Sequence, residues 1–412
     1  MAQVSVHGTP PAVAGAARLL ALLSLAEFLG LALWLSASAV IPALTREWSL
    51  SPSMQAWMTN AVQLGFVTGA LTSALLNLPD IFPSRIIFAV SAILGAAVNA
   101  AIPLWARGPE AAIPLRFLTG FCLAGVYPTG LKILATWFRR NRGMALGIMV
   151  GALTVGTALP HLIAAVGSPD WRVTMLAASG LSVIAAILAL TAIHEGPFRT
   201  PAPRFQWKYA LHLWRDPALR LANFGYLGHM WELYGMWAWL PLFLFESFRA
   251  GGTGGSSAAS LAAFAAIGAG GAGCAVAGVL ADRLGRTTVT IASMIISGAC
   301  CLLIGMLFGG RAAAVVTVTM IWGFAIVADS AQFSTSITEL GDPAYTGTAL
   351  TMQVAAGFLL TVVSIRLLPV AVALVGWRYA FSALALGPAA GSYAMWRLRL
   401  RPESARMAGG MR

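Results

Sequence analysis

Two short stretches of the chain place a carboxylate among apolar residues. The run EFLGLALWL begins at Glu27, and the run ELYGMWAWL begins at Glu232 in the second half of the chain. Four of the nine positions are identical, and His229 is the one further ionisable residue in the apolar stretches around them. A carboxyl group in such surroundings favours its protonated form and can exchange a proton near neutral pH. Both glutamates are therefore candidates for proton transfer, and His229, one helical turn before Glu232, can share the proton.

The composition places these carboxylates in a membrane. Of the 412 residues, 58% are hydrophobic and 10% are charged, and the mean hydropathy is +0.79. A soluble domain carries about a quarter charged residues. The net charge is +12, but the basic residues lie in short loops and at the C-terminus, which favours a lipid bilayer over nucleic acid as partner. The four cysteines lie in apolar runs without a CxxC pair or a nearby histidine, so we predict no disulfide, no metal site and no cofactor.

The spacing of apolar runs predicts an all-α integral membrane protein. A helix needs about 20 mostly apolar residues to cross a bilayer, and twelve stretches meet this requirement. The predicted spans are roughly 17–44, 54–78, 86–106, 111–137, 143–166, 172–194, 219–247, 257–281, 287–308, 312–337, 344–369 and 375–397. The predicted domains are a flexible N-terminal tail (1–16), a six-helix bundle (17–195), a cytoplasmic linker (196–218), a second six-helix bundle (219–397) and a basic cytoplasmic tail (398–412).

The basic residues also predict the orientation. Lys and Arg concentrate in the alternate loops that are cytoplasmic if both termini are inside, as expected for a membrane protein. We therefore predict a multi-pass protein of the cytoplasmic (inner) membrane of a bacterium, with both termini in the cytoplasm.

The second half of the chain repeats features of the first. Besides the two glutamate runs, the matched segments are NLPD with VLAD (Asp80 beside Asp282), TGF at 119–121 with WGF at 322–324, RGMAL at 142–146 with TGTAL at 346–350, and DWR at 170–172 with GWR at 376–378. Matches in register indicate duplication of a six-helix unit. Two such units in the same orientation are typical of transporters that handle their solute near the bilayer midplane, between the halves.

These features resemble the major facilitator superfamily of secondary transporters. Its loop signature G-x-x-x-D-R-x-G-R is complete in GVLADRLGR (Gly278–Arg286), whereas the first-half copy LNLPDIFPSR keeps only part of it, including Asp80. Its fourth-span signature, an arginine followed four residues later by glycine, matches Arg116 and Gly120. The resemblance implies a loop that acts as a conformational latch, with the residues Asp80, Gly278, Asp282, Arg283, Gly285 and Arg286. The alternative is that the basic loop only sets the topology.

The resemblance also implies that the first and fourth spans of each half line a central cavity. An ionisable group inside a bilayer costs roughly 2.5–3.5 kcal/mol on insertion scales and is a functional candidate by default. The candidates for substrate binding or proton coupling are Glu27, Arg116, His229, Glu232 and Asp329, and the weaker ones are Tyr127, Lys132, His161 and Gln332. The alternative for Glu27 is a structural pair with Arg116 or Lys132.

The sequence therefore predicts a secondary active transporter for a small solute. We expect coupling to protons and function as a monomer, with uptake of a small organic or inorganic anion as the first expectation. A drug or metabolite/proton antiporter is the alternative, although GIMVGALTVGTALPHL in the fifth span carries only part of the pattern typical of such exporters. A transporter-like receptor would be expected to carry an added soluble domain. An enzyme is not predicted, because the sequence contains no HExxH, GxSxG or Walker motif.

Overall fold

The computed structural model describes residues 15–138, 142–166, 170–198, 207–342 and 345–411, without the side chains of residues 79, 80, 142, 207 and 208. Within these ranges the regular structure is helical and no strand occurs. Most of the predicted N-terminal tail and part of the predicted linker lie outside the described residues. The predicted C-terminal tail continues the fold, because the last α-helix runs through Arg399 and a 3-10 segment follows at Pro402–Gly410.

Among the described residues, nine α-helices lie in the N-terminal half. They are α1 (Ala16–Gly30), α2 (Ile41–Trp48), α3 (Pro52–Leu75), α4 (Leu78–Ile81), α5 (Ser84–Trp105), α6 (Pro109–Leu123), α7 (Tyr127–Ala135), α8 (Arg142–Val166) and α9 (Trp171–Thr191).

The C-terminal half contributes nine more. They are α10 (Trp207–Arg215), α11 (Pro217–Ala250), α12 (Ser256–Leu284), α13 (Arg286–Leu303), α14 (Ala312–Ala328), α15 (Ser330–Leu340), α16 (Thr346–Val375), α17 (Trp377–Ala380) and α18 (Leu386–Arg399).

Each predicted span corresponds to one of these helices or to consecutive segments of them. Among the described residues, nine segments are long and apolar enough to cross a membrane. The other predicted spans correspond to α3, α11 and the last pair, α17 with α18. Helices α3 and α11 have 24 and 34 residues, and they carry buried polar side chains such as Gln63 and Glu232. Their lower hydropathy therefore reflects faces that meet protein instead of lipid.

Successive spans run in opposite directions, so the ends of the helices form two sides. We call the side that carries residue 15 and residue 411 the terminal side, and the opposite side the distal side. On the distal side Glu47 and Arg172 form an ion pair of 2.5 Å, and Glu47 also accepts a hydrogen bond from Trp171. These contacts lower the pKa of Glu47 and tie the start of α9 to the end of α2.

Glycine allows a close contact between two helices in each half. A Cβ at Gly120 in α6 would lie 2.1 Å from the carbonyl oxygen of Val62 in α3. A Cβ at Gly323 in α14 would lie 1.8 Å from the carbonyl oxygen of Ala266 in α12. Gly120 and Gly323 are the central residues of the matched TGF and WGF triplets. A larger side chain at either position would force the two backbones apart, so the internal repeat extends to the packing.

The two halves meet along α8 with α12 and along α3 with α16. In the first pair, a Cβ at Gly151 would lie 2.9 Å from the carbonyl oxygen of Gly271. In the second pair, Asn60 Nδ2 donates to the carbonyl oxygen of Val362 over 3.3 Å. Interfaces that consist of close glycine contacts and few hydrogen bonds can separate with few bonds broken. This property suits a rocking motion of one half against the other.

Three spans are interrupted near their middles. Helix α1 ends at Gly30 and continues as 3-10 turns, residues 124–126 separate α6 from α7, and Asp329 separates α14 from α15. Pro128 accounts for the second break, because proline has no backbone N–H to continue the helix. Such breaks leave backbone groups without helical partners inside the bilayer, and solute and ion sites are often built around them.

Candidate functional site

Glu27 is a buried carboxylate near the end of α1. Its exposed fraction is 0%, and neither carboxyl oxygen has a hydrogen-bond partner among the described residues. Gly130 in α7 makes room for it, because a Cβ at that position would lie 1.9 Å from Oε1. Tyr127, one turn earlier in α7, is close enough to interact with Glu27 electrostatically. The structural pair of Glu27 with Arg116, which was the alternative from sequence, does not form.

Arg116 has a different position from the one the sequence suggested. Its buried guanidinium donates to the carbonyl oxygens of Leu33 (3.0 Å), Trp34 (2.5 Å) and Met58 (3.3 Å), to Ser36 Oγ (3.0 Å) and to Asn99 Oδ1 (3.0 Å). Leu33 and Trp34 lie just beyond the end of α1, so Arg116 bonds to carbonyl groups at the break in the helix, and the Leu33 carbonyl oxygen also accepts from Ser36. Gly120, one turn later, brings α6 close enough to α3 for this reach. The arrangement favours a role in holding the N-terminal half together.

His229 pairs with Asp329. Nδ1 of His229 lies 2.8 Å from Oδ1 of Asp329, and both side chains are buried. The sequence had suggested that His229 shares a proton with Glu232, its neighbour one turn away. The break between α14 and α15 places Asp329 beside His229 instead, and a pattern within one helix cannot indicate such a contact.

Glu232 lies in a polar site inside the C-terminal half. It accepts hydrogen bonds from Ser297 Oγ (2.9 Å), Cys301 Sγ (3.1 Å) and Trp322 Nε1 (2.6 Å). All three donors belong to α13 and α14 of the same half. Glu27 and Glu232 therefore match in sequence but differ in environment, because one has no hydrogen-bond partner in the described chain and the other has three.

Tyr127 links the halves electrostatically. It lies within electrostatic range of Glu27 in its own half and of Cys274 in α12 of the other half. Cys274 is in turn within range of Asp329, and Tyr226 in α11 is within range of Tyr127. Ionisable groups of the two halves thus lie near one another at the boundary, and we call them the polar chain: Glu27, Tyr127, Cys274, Asp329 and His229.

The other weak candidates lie at separate places. His161 follows Pro160 in the distal part of α8, is buried, and has no hydrogen-bond partner for either ring nitrogen within the described chain. Lys132 is half-buried in the last turn of α7. Gln332 lies one turn after Asp329, and its Oε1 accepts a hydrogen bond of 2.9 Å from Arg286 Nη1. Gln332 therefore contacts the loop signature.

The loop signature forms an ion-pair cluster on the terminal side. Arg286 lies 2.9 Å from Asp282 and 3.0 Å from Glu339. Asp282 Oδ2 lies 3.6 Å from the position of a Cβ at Gly143, in the first turn of α8 in the other half. A carboxylate is favoured at the positive end of a helix dipole. The cluster therefore crosses the boundary between the halves, as a latch requires.

The other described residues of the loop signature lie outside the ion-pair cluster. Gly285 has φ +94°, a conformation that favours glycine, and it turns the chain between α12 and α13 so that Arg286 can fold back. Gly278 faces the Gly143 carbonyl oxygen at 4.0 Å from the position of a Cβ. Arg283 is exposed. The side chain of Asp80 lies outside the described residues, so its part in a latch stays a prediction.

Sequence reasoning missed Glu339, Tyr226 and Cys274. Glu339 lies seven residues after Gln332, on the same helix face, and an acid at the end of a span opposite a basic loop is a usable signal. Tyr226 lies one turn before His229, which is also visible in the sequence. Cys274 was interpreted only as a small packing residue, and no pattern in the sequence indicates that it lies opposite Tyr127.

Comparison with known proteins defines the class to which this fold and site belong. The family model described as Major Facilitator Superfamily matches residues 22–365. The chain therefore belongs to the Major Facilitator Superfamily, as the loop signature and the twelve-span pattern indicated.

Two relatives illustrate the range of similarity. The putative niacin/nicotinamide transporter NiaP of Bacillus subtilis (strain 168) is 24% identical over 213 residues, which are 50% of this chain and 52% of that protein. The match thus spans about half the length of that relative. The crystal structure of a point mutant of the nucleoside transporter NupG superposes with a TM-score of 0.70 at 16% identity, over 92% of this chain and 99% of that one. At this sequence identity, the likeness to NupG shows the fold alone.

Proposed function

We propose that this membrane transporter is a proton-coupled secondary transporter that takes up a small organic solute by alternating access between its two halves. Glu27 carries the proposal. An ionised carboxylate without a partner in apolar surroundings is strongly disfavoured, and Glu27 is fully buried without a hydrogen-bond partner in the described chain. In this closed state it therefore carries a proton, and it can release the proton when the site opens to water.

The polar chain supports the coupling. Tyr127 interacts electrostatically with both Glu27 and Cys274, and Cys274 interacts with Asp329, so Glu27 has ionisable groups of both halves near it. The His229–Asp329 pair, buried at a distance of 2.8 Å, places a further carboxyl group of the C-terminal half at the end of this chain. A change of charge on one half can therefore change the free energy of contact with the other half.

The solute and the cellular setting extend the same proposal. The relatives are named for niacin or nicotinamide and for nucleosides, which favours an organic solute over an inorganic ion. The predicted preference for an anion stays a prediction, and Arg116, which could have bound one, is occupied by five acceptors within its own half. We place the protein in a bacterial cytoplasmic membrane, as a monomer with both termini inside.

Replacing Glu27 with glutamine tests the coupling. The amide has the shape of the protonated acid but cannot release a proton. We expect Glu27→Gln to exchange labelled nicotinamide for unlabelled solute in proteoliposomes at about the parental rate. Accumulation driven by a pH gradient should fall at least about tenfold, because the cycle no longer moves a proton.

Glu232→Gln is the matched control, since it also replaces a buried carboxyl group but one that three donors hold. We expect it to keep gradient-driven accumulation. If Glu27→Gln accumulates solute at the parental level, Glu27 is not the proton carrier. If instead Glu232→Gln loses accumulation and keeps exchange, the coupling group lies in the C-terminal half.

A further inference from the structure

A cluster of aromatic rings crosses the boundary between the halves. Trp34 comes from the turn after α1 and Phe66 from α3, and Tyr234, Trp237 and Phe358 come from α11 and α16. Ring centroids lie 5.4 Å apart for Trp34 and Phe358, 4.8 Å for Phe66 and Phe358, and 5.9 Å for Trp34 and Tyr234. We call these five residues the aromatic cluster. Its cross-boundary contacts must separate whenever the halves rock apart.

The cluster and its surroundings carry buried polar groups that have no hydrogen-bond partner among the described residues. The indole N–H groups of Trp34 and Trp237 are buried and have no acceptor among the described residues. Gln63 is buried on the face of α3 shared by Asn60 and Phe66, and that face meets α16 through the Asn60–Val362 bond. Neither the oxygen nor the nitrogen of the Gln63 amide has a partner within the described ranges. Buried polar groups rarely lack a hydrogen-bond partner in native proteins.

A small cavity of about 10 Å³ lies between the halves on the distal side of the cluster. Its lining includes Ser38 and Thr59 from one half and Trp239 and Ile365 from the other. Ser38 lies one turn beyond Trp34, and Thr59 lies one turn before Gln63, so the cavity lies about one helical turn from the cluster. Ser38 and Thr59 share a hydrogen bond of 2.8 Å, and Trp239 Nε1 donates to the Ile365 carbonyl oxygen over 2.9 Å.

The charges around the cluster limit what it can hold. Arg116 has its guanidinium directed to acceptors in its own half, and none of the five rings is within cation–π distance of an arginine in the described chain. An anion would therefore be buried there without a counter-charge, which is strongly disfavoured. Indole donors and one amide instead match an uncharged solute with both a hydrogen-bond acceptor and a donor.

We propose that the aromatic cluster with Gln63 is the solute site, and that it takes an uncharged planar aromatic solute bearing a carbonyl or ring-nitrogen acceptor and an amide-type donor. The solute ring lies between Trp34 of one half and Phe358 of the other, in place of their direct contact. Aromatic rings favour this offset or edge contact with flat partners. The Gln63 amide and the two indole N–H groups bind its polar edge. This inference rests on the proposed transport function and names its solute class.

Equilibrium dialysis of the purified protein in detergent tests the site without requiring transport. The probe is radiolabelled benzamide, with unlabelled cyclohexanecarboxamide and benzoate as competitors. Benzamide and cyclohexanecarboxamide are both uncharged amides on six-membered rings, and only the first is planar and aromatic. We expect benzamide to bind at least about tenfold more tightly than either competitor. Gln63→Leu should weaken benzamide binding about tenfold.

Gln353→Leu is the matched control, because Gln353 is also a buried amide on a boundary-facing helix but lies against Ser334 of α15. It should leave benzamide binding unchanged. Equal binding of cyclohexanecarboxamide, tighter binding of benzoate, no binding of benzamide or parental binding by Gln63→Leu would each overturn the inference. Benzamide binding that persists in a protein that fails to couple solute movement to protons would uphold the site and remove the proposed coupling, so the two failures are distinguishable.

Discussion

Replacing Arg116 with leucine is expected to remove most of the folded protein from the membrane. The guanidinium serves five acceptors on α3, on α5 and on the chain just beyond α1. A hydrogen bond to a charged group contributes about 1.5–3 kcal/mol, and a buried acceptor left alone costs about 1–3 kcal/mol. Typical folding free energies are about 5–15 kcal/mol. We expect at least about a tenfold loss of monodisperse protein after solubilisation, measured by fluorescence-detected size exclusion.

Two further variants separate charge from geometry. Arg116→Lys keeps the charge but has only three donors, which cannot reach all five acceptors, so its abundance should be intermediate. Arg366→Leu removes an exposed arginine from α16, whose contacts are a 3.4 Å bond to Ser53 and a ring contact with Trp57, and it should express like the parent. Parental abundance of Arg116→Leu would show that the network is dispensable for folding and would return Arg116 to the solute-binding candidates.

The spans and the repeat could be predicted because they depend on local or periodic signals. A bilayer forces a run of apolar residues into a helix, so the twelve predicted spans correspond to the observed helices. Gly120 and Gly323 are visible in the sequence as the centres of a repeated triplet, and both lie at close backbone contacts between two helices of their halves. A glycine is informative in this way because close backbone approach tolerates no other residue.

The partners of the buried charges could not be predicted, because they depend on where helices break. The run around Arg116 predicts one continuous span, but residues 124–126 interrupt it. The break after α1 supplies carbonyl acceptors for Arg116, and no residue pattern predicts this break. The match of Glu27 with Glu232 likewise suggested equal roles. Their partners lie on other helices, and one has three donors while the other has none among the described residues.

Replacing Arg286 with glutamine is expected to open the terminal side of the transporter. Arg286 joins Asp282 and Glu339 at 2.9 and 3.0 Å, and Asp282 lies against the first turn of α8. Arg286 holds Asp282 against α8, which is where the cluster contacts the other half, so loss of Arg286 frees Asp282 and should shift the closed-to-open ratio by about tenfold. Asp282 is half-exposed, with 54% of its side chain accessible, so Asp282→Asn should shift the ratio less. Solute transport should fall in both variants, because the closed state is part of the cycle.

Native cysteines report this shift. Cys274 is buried, and its carbonyl oxygen lies 3.6 Å from the position of a Cβ at Gly147 in α8. Opening the terminal side separates these helices, so N-ethylmaleimide should label Cys274 about tenfold faster in Arg286→Gln than in the parent, as measured by peptide mass spectrometry. Cys301 bonds to Glu232 inside one half and should stay protected in both. Unchanged labelling of Cys274 in a variant that has lost transport would mean that Arg286 does not hold the terminal side closed, because the helices beside Cys274 would still be together.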